Sequence, residues 1–483
     1  MKIKKILAAF LAVFAFTACN NEVVGTLPEP EAEAKADGYL ILNITNPVTR
    51  TGGDGDSDQA TLAESTITKL TVVLTDAAGV ISSISTPSID NLVSERFKVT
   101  LGDHYVYALI NCPDELTSET DPILKVGGNI NPVISAAAAE KVTSGYIDGS
   151  FFMVNVSNGN SVNAGVPVTI GEIHSLSSPA KVSIQVDRVV CKIWDVTETV
   201  PEMYLATASN NIVDNVDVMG FALLNVNKKF NLVQKWSTVN TGGIDLGTDV
   251  LLTPLYPGGE ALVAAQYFHN IGEYVTLKKD DDGNITSITD LTVGIDGIFN
   301  NDTVYTTENR PTIFSVGDAG ELTAGRGETT GVIYKVQAKK SGSNLGTFYK
   351  YKGVYYSNLA TIDALPAFAG TDLIAIEENP ELLRAHSIQV YEDGIMYYTY
   401  FIRDPNAAHQ YGGKNYYGVF RNSAYKLEIK KISSIGDDVP GGGITSPTEP
   451  GGPGNPPIDT KEAYIEVTLT VNPWILNTLD IEF

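Results

Sequence analysis

Apolar and polar residues alternate along most of the chain, and this period of two predicts β-strands. Residues Ile67 to Ile84 read as a strand, a turn and a second strand, and Val182, Ile184 and Val186 fall on one face. Tyrosine-rich alternation continues through the second half and is typical of a half-exposed antiparallel sheet. The pattern predicts a mainly all-β fold of antiparallel β-sandwiches.

Helix and turn signals are fewer. Short helices are predicted near Ile134 and from Asn379. The Asp-Gly pair within Glu392–Gly394 is typical of a β-hairpin, and Gly102–Asp103 predicts a turn between two further strands. The turn at Glu392–Gly394 is expected to join two strands that pair with each other.

Two strand-like segments lie outside the main body of the sequence. In the first, Leu40, Leu42 and Ile44 share one face. The second has the cleanest alternation in the chain, with apolar positions at Ile465, Val467, Leu469 and Val471. An exposed apolar strand invites aggregation, so we expect both segments to be buried in a sheet.

A basic residue marks the end of the first segment. Arg50 is the only Lys or Arg between Lys35 and Lys69, and the flexible run Gly52–Asp58 follows it. Such a run lets a protease take the extended chain into its cleft. We therefore predict cleavage after Arg50, a mature chain that starts at Thr51, and a groove that the C-terminal strand of another copy can fill.

The first residues predict export. Lys2, Lys4 and Lys5 precede an apolar stretch, Ile6–Phe16, that is too short to span a bilayer. The following Thr-Ala-Cys resembles the lipobox of bacterial lipoproteins, which makes Cys19 the predicted lipidation site and places the precursor on the outer membrane. The alternative is plain signal cleavage, with Cys19 incidental.

The chain has 483 residues, which predicts two domains plus tails. A loop-like stretch divides the body near residue 235, and a stretch rich in proline and glycine follows residue 435. The predicted organisation is a signal peptide (1–19), a propeptide with a removable strand (20–50), two β-sandwich domains (51–235 and 236–435), a linker (436–459) and a C-terminal strand segment (460–483).

Net charge and the absence of catalytic motifs limit the classes of function that the sequence allows. Lys and Arg number 33 against 57 Asp and Glu, a net charge of −24, which disfavours nucleic acid as a partner. No zinc-protease, nucleophile-elbow or phosphate-loop motif occurs, so we expect no catalysis and no cofactor. Asp54, Asp56 and Asp58 alternate as in calcium loops but lack the rest of that motif, and no metal site is predicted. Cys112 and Cys191 are expected to be buried thiols rather than a bridge.

Several stretches together resemble one family. They are "VDRVVCKI", "TFYKYKGVYYSNLATI", "YYGVFRNSAYKLEIKKI" and "YIEVTLTVNPW". Together with the lipobox and Arg50, these stretches resemble the minor-fimbrium-type fimbrillins, which are the type V pilin lipoproteins of anaerobic bacteria. The resemblance implies two transthyretin-like domains, an arginine-directed protease and polymerisation by donor-strand exchange. It makes Arg50 the cleavage residue and Ile465 to Val471 the donor strand.

The same resemblance implies partners and a place in the fimbrium. Partners are other copies of the chain, accessory or tip subunits and a surface receptor of unknown identity, and the C-terminal segment indicates a shaft subunit that supports adhesion. Two alternatives remain. A non-polymerising adhesin or glycan-binding lipoprotein would keep the strand Leu40–Ile44, and a surface hydrolase would need a catalytic constellation that the sequence does not offer.

Overall fold

The structure, a computed structural model, is described over most of the chain. The described residues are 37–45, 58–117, 121–134, 151–156, 165–227, 229–237, 240–241, 244–245, 250–254, 268–269, 275–279, 285–290, 299, 301, 303–316, 321–404, 416–440, 458 and 465–475.

The described chain is built mainly from strands. Those up to residue 231 are β1 (Asp37–Thr45), β2 (Asp58–Gln59), β3 (Leu70–Thr75), β4 (Ile81–Ser85), β5 (Ile89–Asp90), β6 (Val93–Ser94), β7 (Phe97–Thr100), β8 (Gly102–Ile110), β9 (Val133–Ile134), β10 (Met153–Asn155), β11 (Val166–Ile170), β12 (Ala180–Arg188), β13 (Val190–Asp195), β14 (Glu202–Met203), β15 (Asn215–Leu224), β16 (Val226–Asn227) and β17 (Phe230–Asn231). The later strands are β18 (Lys235–Ser237), β19 (Asn240–Thr241), β20 (Ile244–Asp245), β21 (Val250–Leu252), β22 (Phe268–His269), β23 (Val275–Lys279), β24 (Ile285–Asp290), β25 (Val304–Thr307), β26 (Ile313–Val316), β27 (Glu321–Ala324), β28 (Gly331–Lys340), β29 (Ser343–Asn344), β30 (Phe348–Tyr351), β31 (Val354–Tyr356), β32 (Ile388–Tyr391), β33 (Ile395–Phe401), β34 (Ser423–Ile432) and β35 (Ile465–Ile475).

Helices in the described part of the chain are short. They are α1 (Leu62–Ser65), α2 (Asp114–Thr117), α3 (Leu205–Ala208), α4 (Leu359–Asp363) and α5 (Pro380–Ala385), with 3₁₀ turns at Pro366–Phe368, Ile374–Ile376 and Glu392–Gly394. None of the described helices has the length and apolar character needed to cross a membrane.

The N-terminal part forms a ten-stranded sheet. Its strand order is β4-β3-β8-β10-β12-β1-β6-β5, with β11 paired to β8 and β7 paired to β1. The alternation of β12 buries Val182, Ile184 and Val186 on one face, as the sequence pattern requires. β1 is an interior strand of this sheet, which places the first of the two terminal segments in the core.

The C-terminal part contains three larger sheets. One has six strands, in the order β2-β35-β34-β13-β25 with β14 on β34. A second has the order β15-β28-β29 with β33 on β28, and a third is β31-β30-β32. The other described strands form two-stranded pairs: β16 with β22, β17 with β9, β18 with β21, β19 with β20, β23 with β24 and β26 with β27.

Two main hydrophobic cores follow these sheets. The first contains most buried apolar residues up to Val190 and also Phe230. The second begins at Cys191 and includes Val216 of β15, so the change of core occurs within β13. The sequence-based division near residue 235 lies later in the chain than this change, and the domain boundaries stay a prediction.

The fold class predicted from the alternation is confirmed, since the described chain is mainly β with a few short helices. The helix predicted from Asn379 is α5, where the Leu382 N–H donates to the Asn379 side chain. Of the segment predicted as a helix near Ile134, residue 134 lies in β9 and residues 135–150 lie outside the described part.

The hairpin predicted at Glu392–Gly394 is wrong. The turn at Glu392–Gly394 exists, but β32 pairs with β30 whereas β33 pairs with β28. The two strands predicted around Gly102–Asp103 are present as β7 and β8, which pair with β1 and β3 respectively. In each case the strands on the two sides of the turn find partners that are distant in sequence, which a local turn signal cannot reveal.

Candidate functional site at the two terminal strands

β1 joins two groups of strands in the N-terminal sheet. On one side it pairs in parallel with β12, from Leu40 opposite Ala180 to Thr45 opposite Gln185. On the other side it pairs antiparallel with β7 and, through Asn43, with β6. Because both edges are used, removal of β1 would expose unpaired backbone on β12 and on β6 and β7.

The inward face of β1 is fully buried. Leu40 is 0% exposed, and Leu42 and Ile44 are each 1% exposed. Burial of three such side chains contributes roughly 4–9 kcal/mol before the entropy of ordering the strand is counted. The Leu42 N–H donates to Ser94 Oγ at 2.9 Å. β1 is therefore a structural element of the first core as well as a terminal segment.

The start of β1 is packed closely against the β11 end of the sheet. The Tyr39 N–H donates to the His174 carbonyl at 2.8 Å. A Cβ added at Gly38 would lie 2.3 Å from Ile170 Cγ2. Glycine at this position lets the backbone approach the neighbouring strand.

β35 occupies a different kind of position. It pairs antiparallel with β34 of the same chain, from Ile465 opposite Ile432 to Pro473 opposite Ser423, with a bulge at Ile429/Lys431. At its other edge, among the described residues, it pairs in parallel only with the two residues of β2. Most of that edge is thus without a strand partner in the described part of the chain.

The side chains of β35 alternate as the sequence pattern requires. Ile465 is buried, Val467 and Leu469 are half-buried against the second core, and Glu466 and Thr468 are exposed. The backbone of Val471 pairs with Tyr425, and its side chain lies outside the described residues. The apolar face of β35 packs against the core of its own chain.

A buried polar cluster lies close to β2, between the two cores. The Glu64 carboxylate accepts from Lys192 Nζ at 2.9 Å and from the Tyr305 hydroxyl at 2.7 Å. Arg188, which is 1% exposed, donates from Nε and Nη2 to the Glu64 carbonyl at 3.1 and 2.9 Å. The cluster ties α1, and with it the segment that contains β2, to the strands β12, β13 and β25.

Burial alone would raise the pKa of Glu64. The hydrogen bonds from the Thr61 N–H, Lys192 and Tyr305, together with the charge of Lys192, outweigh burial and hold this pKa below its ordinary value. Sequence reasoning did not select this cluster. A signal was present, because Arg188 stands inside the apolar run "VDRVVCKI", where a buried charge requires partners.

The residues predicted for lipidation and cleavage lie outside the part of the chain that the structure describes. Cys19, Arg50 and Thr51 lie outside the described residues, as do Asp54 and Asp56. Arg50 follows shortly after the last residue of β1.

The two cysteines are free and buried, as expected. Burial raises the pKa of the Cys112 thiol to about 12 and also raises the pKa of the Cys191 thiol. Both thiols are therefore unreactive. Over the described ranges no group of three or more side chains could hold a metal ion.

The C-terminal strands match a known family. Residues 389–480 match the family model described as "Major fimbrial subunit protein type IV, Fimbrillin, C-terminal". This range contains β33, β34 and β35. Over these residues the match confirms the predicted resemblance to fimbrillins.

Among solved structures, a protein described provisionally as a cell adhesion protein from Parabacteroides distasonis ATCC 8503 is 12% identical, with a TM-score of 0.43 over 91% of this chain and 97% of that one. A fimbrilin (fimA) from Porphyromonas gingivalis W83 is 15% identical, with a TM-score of 0.41 over 91% and 98%. The tip fimbrial protein Mfa3 from Porphyromonas gingivalis is 13% identical, with a TM-score of 0.32 over 91% and 100%. No curated protein matches this chain.

The family match and the all-β fold support a fimbrial subunit or adhesin at the cell surface. The matched family is described as a fimbrial subunit, which is a structural protein.

Proposed function

We propose that this chain is a shaft subunit of a fimbrium and polymerises by donor-strand exchange. The precursor is a lipoprotein acylated at Cys19, and a protease cuts it after Arg50, so that the mature subunit starts at Thr51. β1 then leaves its sheet, and the strand Ile465–Val471 of another copy takes its place. Accessory or tip subunits complete the fimbrium, which supports adhesion.

The observation that carries the proposal is the interior position of β1. It fills the middle of a ten-stranded sheet, yet the predicted cleavage residue Arg50 follows it closely. A cut there would leave β1 joined to the mature subunit only by non-covalent contacts. Loss of β1 would leave two strand edges without a partner and an apolar groove between them. A new strand would be needed to pair with the edges and to fill the groove.

β35 has the side chains that such a groove requires. Ile465, Val467 and Leu469 are spaced two residues apart, as are Leu40, Leu42 and Ile44 in β1. Both strands thus present aliphatic groups of similar size at a spacing of two residues, which is the condition for one to replace the other.

One observation favours the alternative function, a surface adhesin or glycan-binding lipoprotein that does not polymerise. β35 is paired with β34 of its own chain, and Ile465 is buried there. If β35 never leaves β34, it cannot be donated. The decisive experiment therefore controls the release of β35.

A disulfide can lock β35 onto its own chain. Glu428 and Thr468 lie directly opposite each other in the β34–β35 pair, and such pairs are close enough for a disulfide. We expect the Glu428→Cys/Thr468→Cys variant to remain monomeric when oxidised and to polymerise after reduction. Each single variant is the control, because the two native thiols are buried.

A second cysteine pair reports the donated state. Ser183 of β12 is exposed and lies beside β1, opposite Asn43. A Ser183→Cys/Thr468→Cys variant is expected to form crosslinks between chains. Polymerisation of the oxidised Glu428→Cys/Thr468→Cys variant at the wild-type rate, or Ser183–Thr468 crosslinks confined to one chain, would refute donor-strand exchange.

Processing is tested at the N-terminus. Edman sequencing of surface-assembled subunits is expected to begin at Thr51, and Arg50→Ala is expected to abolish assembly. A clickable fatty acid is expected to label the wild-type precursor but not Cys19→Ala. Normal fimbriae from Arg50→Ala with an unchanged N-terminus would contradict the cleavage step, and equal labelling of Cys19→Ala would contradict the lipid step.

A further inference from the structure

A cleft lies in the C-terminal part of the chain, away from β1. It has a volume of about 530 Å³ and is lined by β33, by the end of β34 with the residues that follow, and by the first residues of β35. Pockets of this size bind small organic molecules, about as large as a disaccharide. Neither the family match nor the proposed assembly assigns a role to it.

Several aromatic residues line the cleft, among them Tyr397, Tyr400, Phe401 and Tyr416. Burial raises the pKa of Tyr400 to about 12, so its hydroxyl stays protonated near neutral pH and can donate a hydrogen bond. Aromatic rings with a polar tip offer an apolar face together with a hydrogen-bonding group.

The cleft is also rich in cations, although the chain as a whole carries a net charge of −24. Arg326, Arg403 and Lys431 line it against two carboxylates, Asp437 and Glu466. All three cations are half-buried, and each lies over an aromatic ring: Arg326 over Phe401, Arg403 over Tyr417 and Lys431 over Tyr204. This local excess of positive charge favours an anion.

Two polar atoms at the cleft have no hydrogen-bond partner. Arg326 Nε and Thr399 Oγ1 are buried, and neither makes a hydrogen bond in the described structure. Burial lowers the pKa of Arg326 and the nearby Asp437 opposes this, so the guanidinium is held in a partly desolvated place. Buried donors without partners are rare in native proteins, and a ligand that carries acceptors would satisfy both.

We propose that this cleft binds an anionic saccharide. One of the lining aromatic rings stacks on a sugar ring, and the planar guanidinium of Arg326, with Arg403 and Lys431, binds an oxyanion on that sugar. The oxyanion is a carboxylate, as in a uronic acid, or a sulfate ester. The Thr399 hydroxyl hydrogen-bonds a ring substituent.

The test is calorimetric titration of the purified full chain with three disaccharides. A glucuronic acid–N-acetylglucosamine unit supplies the carboxylate, a sulfated heparin disaccharide supplies the sulfate, and N,N′-diacetylchitobiose is neutral. We expect binding of at least one anionic disaccharide and none of the neutral one. The anionic disaccharide that binds with the higher affinity shows whether the cleft prefers a carboxylate or a sulfate.

Variants locate the site. Arg326→Gln is expected to weaken binding about tenfold or more, because a charge-assisted hydrogen bond is lost. Lys431→Met should also weaken binding, whereas the adjacent Lys430→Met, which removes the same charge from a residue that does not line the cleft, should leave it unchanged. If Arg326→Gln does not fold, Thr399→Val and the lysine pair carry the test.

Three results would overturn the proposal. They are the absence of binding by either anionic disaccharide, equal binding of the neutral one, and an equal effect of Lys430→Met and Lys431→Met. The outcome is separable from donor-strand exchange, because the oxidised Glu428→Cys/Thr468→Cys variant keeps β35 beside the cleft and should bind even where assembly is blocked.

Discussion

β1 and β35 both place aliphatic residues two positions apart on one face, but the two strands have very different surroundings. β1 is paired along both edges, and Leu40 and Leu42 are at most 1% exposed. β35 is paired fully along one edge, and Val467 and Leu469 are only half-buried. A period of two specifies that a strand has an apolar face, whereas the number of neighbouring strands decides how firmly that face is held.

This difference has a consequence for assembly as proposed. Local opening is easiest where a segment buries little apolar surface and makes few backbone hydrogen bonds. By this criterion β35 can leave its own chain more readily than β1 can leave its sheet. Proteolysis after Arg50 would then act on the more firmly held strand, while the donor strand needs no cut.

Matched truncations of one leucine in each strand give the largest expected effect. Leu42→Ala is expected to lower the free energy of unfolding by about 2–5 kcal/mol, since it leaves a cavity in a full core. Leu469→Ala should cost about 1 kcal/mol, because part of the side chain is already in water. Urea unfolding followed by fluorescence measures both.

The control for this pair is Leu176→Ala, at an exposed position, which should change stability by no more than about 0.5 kcal/mol. Equal losses for Leu42→Ala and Leu469→Ala would show that β35 is held as firmly as β1. The proposed assembly, in which β35 leaves its chain more readily than β1 leaves its sheet, would then lose its physical basis.

The close approach at the start of β1 gives the next largest effect. Gly38→Ala places a methyl group 2.3 Å from Ile170 Cγ2, and such overpacking typically costs about 1–3 kcal/mol. Gly171→Ala is the matched control, because a Cβ there meets nothing within 4 Å. Thermal unfolding should show a lower midpoint for Gly38→Ala alone. An unchanged midpoint would mean that β1 enters the sheet loosely.

Sequence patterns predicted the faces of these strands but not their partners. The buried side of β1 and the inward positions Ile465, Val467 and Leu469 follow from local alternation. The pairing of β1 with β12 joins residues about 140 positions apart, and nothing local encodes it. For the same reason the Asp-Gly pair within Glu392–Gly394 predicts a hairpin that does not form, since the pair specifies a turn and not the partners of the flanking strands.

The polar cluster at Glu64 could be predicted only in part. Arg188 inside an apolar run indicates a buried charge, but its acceptor is a backbone carbonyl more than 100 residues away. The cleft beside β33 was not predicted at all, because its cations come from separate strands and loops that only the tertiary fold brings together.

The third prediction concerns the polar cluster around Glu64. This cluster anchors the segment that contains β2, and β2 pairs with β35. Glu64→Gln removes the charge that Lys192 and Tyr305 bind, and a loss on the order of 1 kcal/mol is expected at pH 7. Hydrogen exchange should quicken at the end of β35 and not in β1. Glu198→Gln, at an exposed position, is the control and should alter neither strand.

The pH dependence of the same variant has a definite sign. The pKa of Glu64 is lowered in the folded state, so its contribution is fully present above the ordinary carboxyl pKa of 4.5 and is lost as pH falls through the folded value. The stability difference between wild type and Glu64→Gln should therefore shrink in acid. A constant difference from pH 7 to pH 3 would contradict the assigned hydrogen bonds.

The smallest effects test which way β35 faces. Valine and threonine have nearly the same shape, so exchanging them changes polarity alone. Val467→Thr places a hydroxyl at a half-buried position and should cost about 0.5–1 kcal/mol. Thr468→Val acts at an exposed position and should stay within about 0.5 kcal/mol of wild type. A slip of one residue in the pairing with β34 would turn every side chain of β35 to the opposite face. The two variants would then exchange their effects, and the apolar face proposed for donation to another subunit would already point away from the core of its own chain.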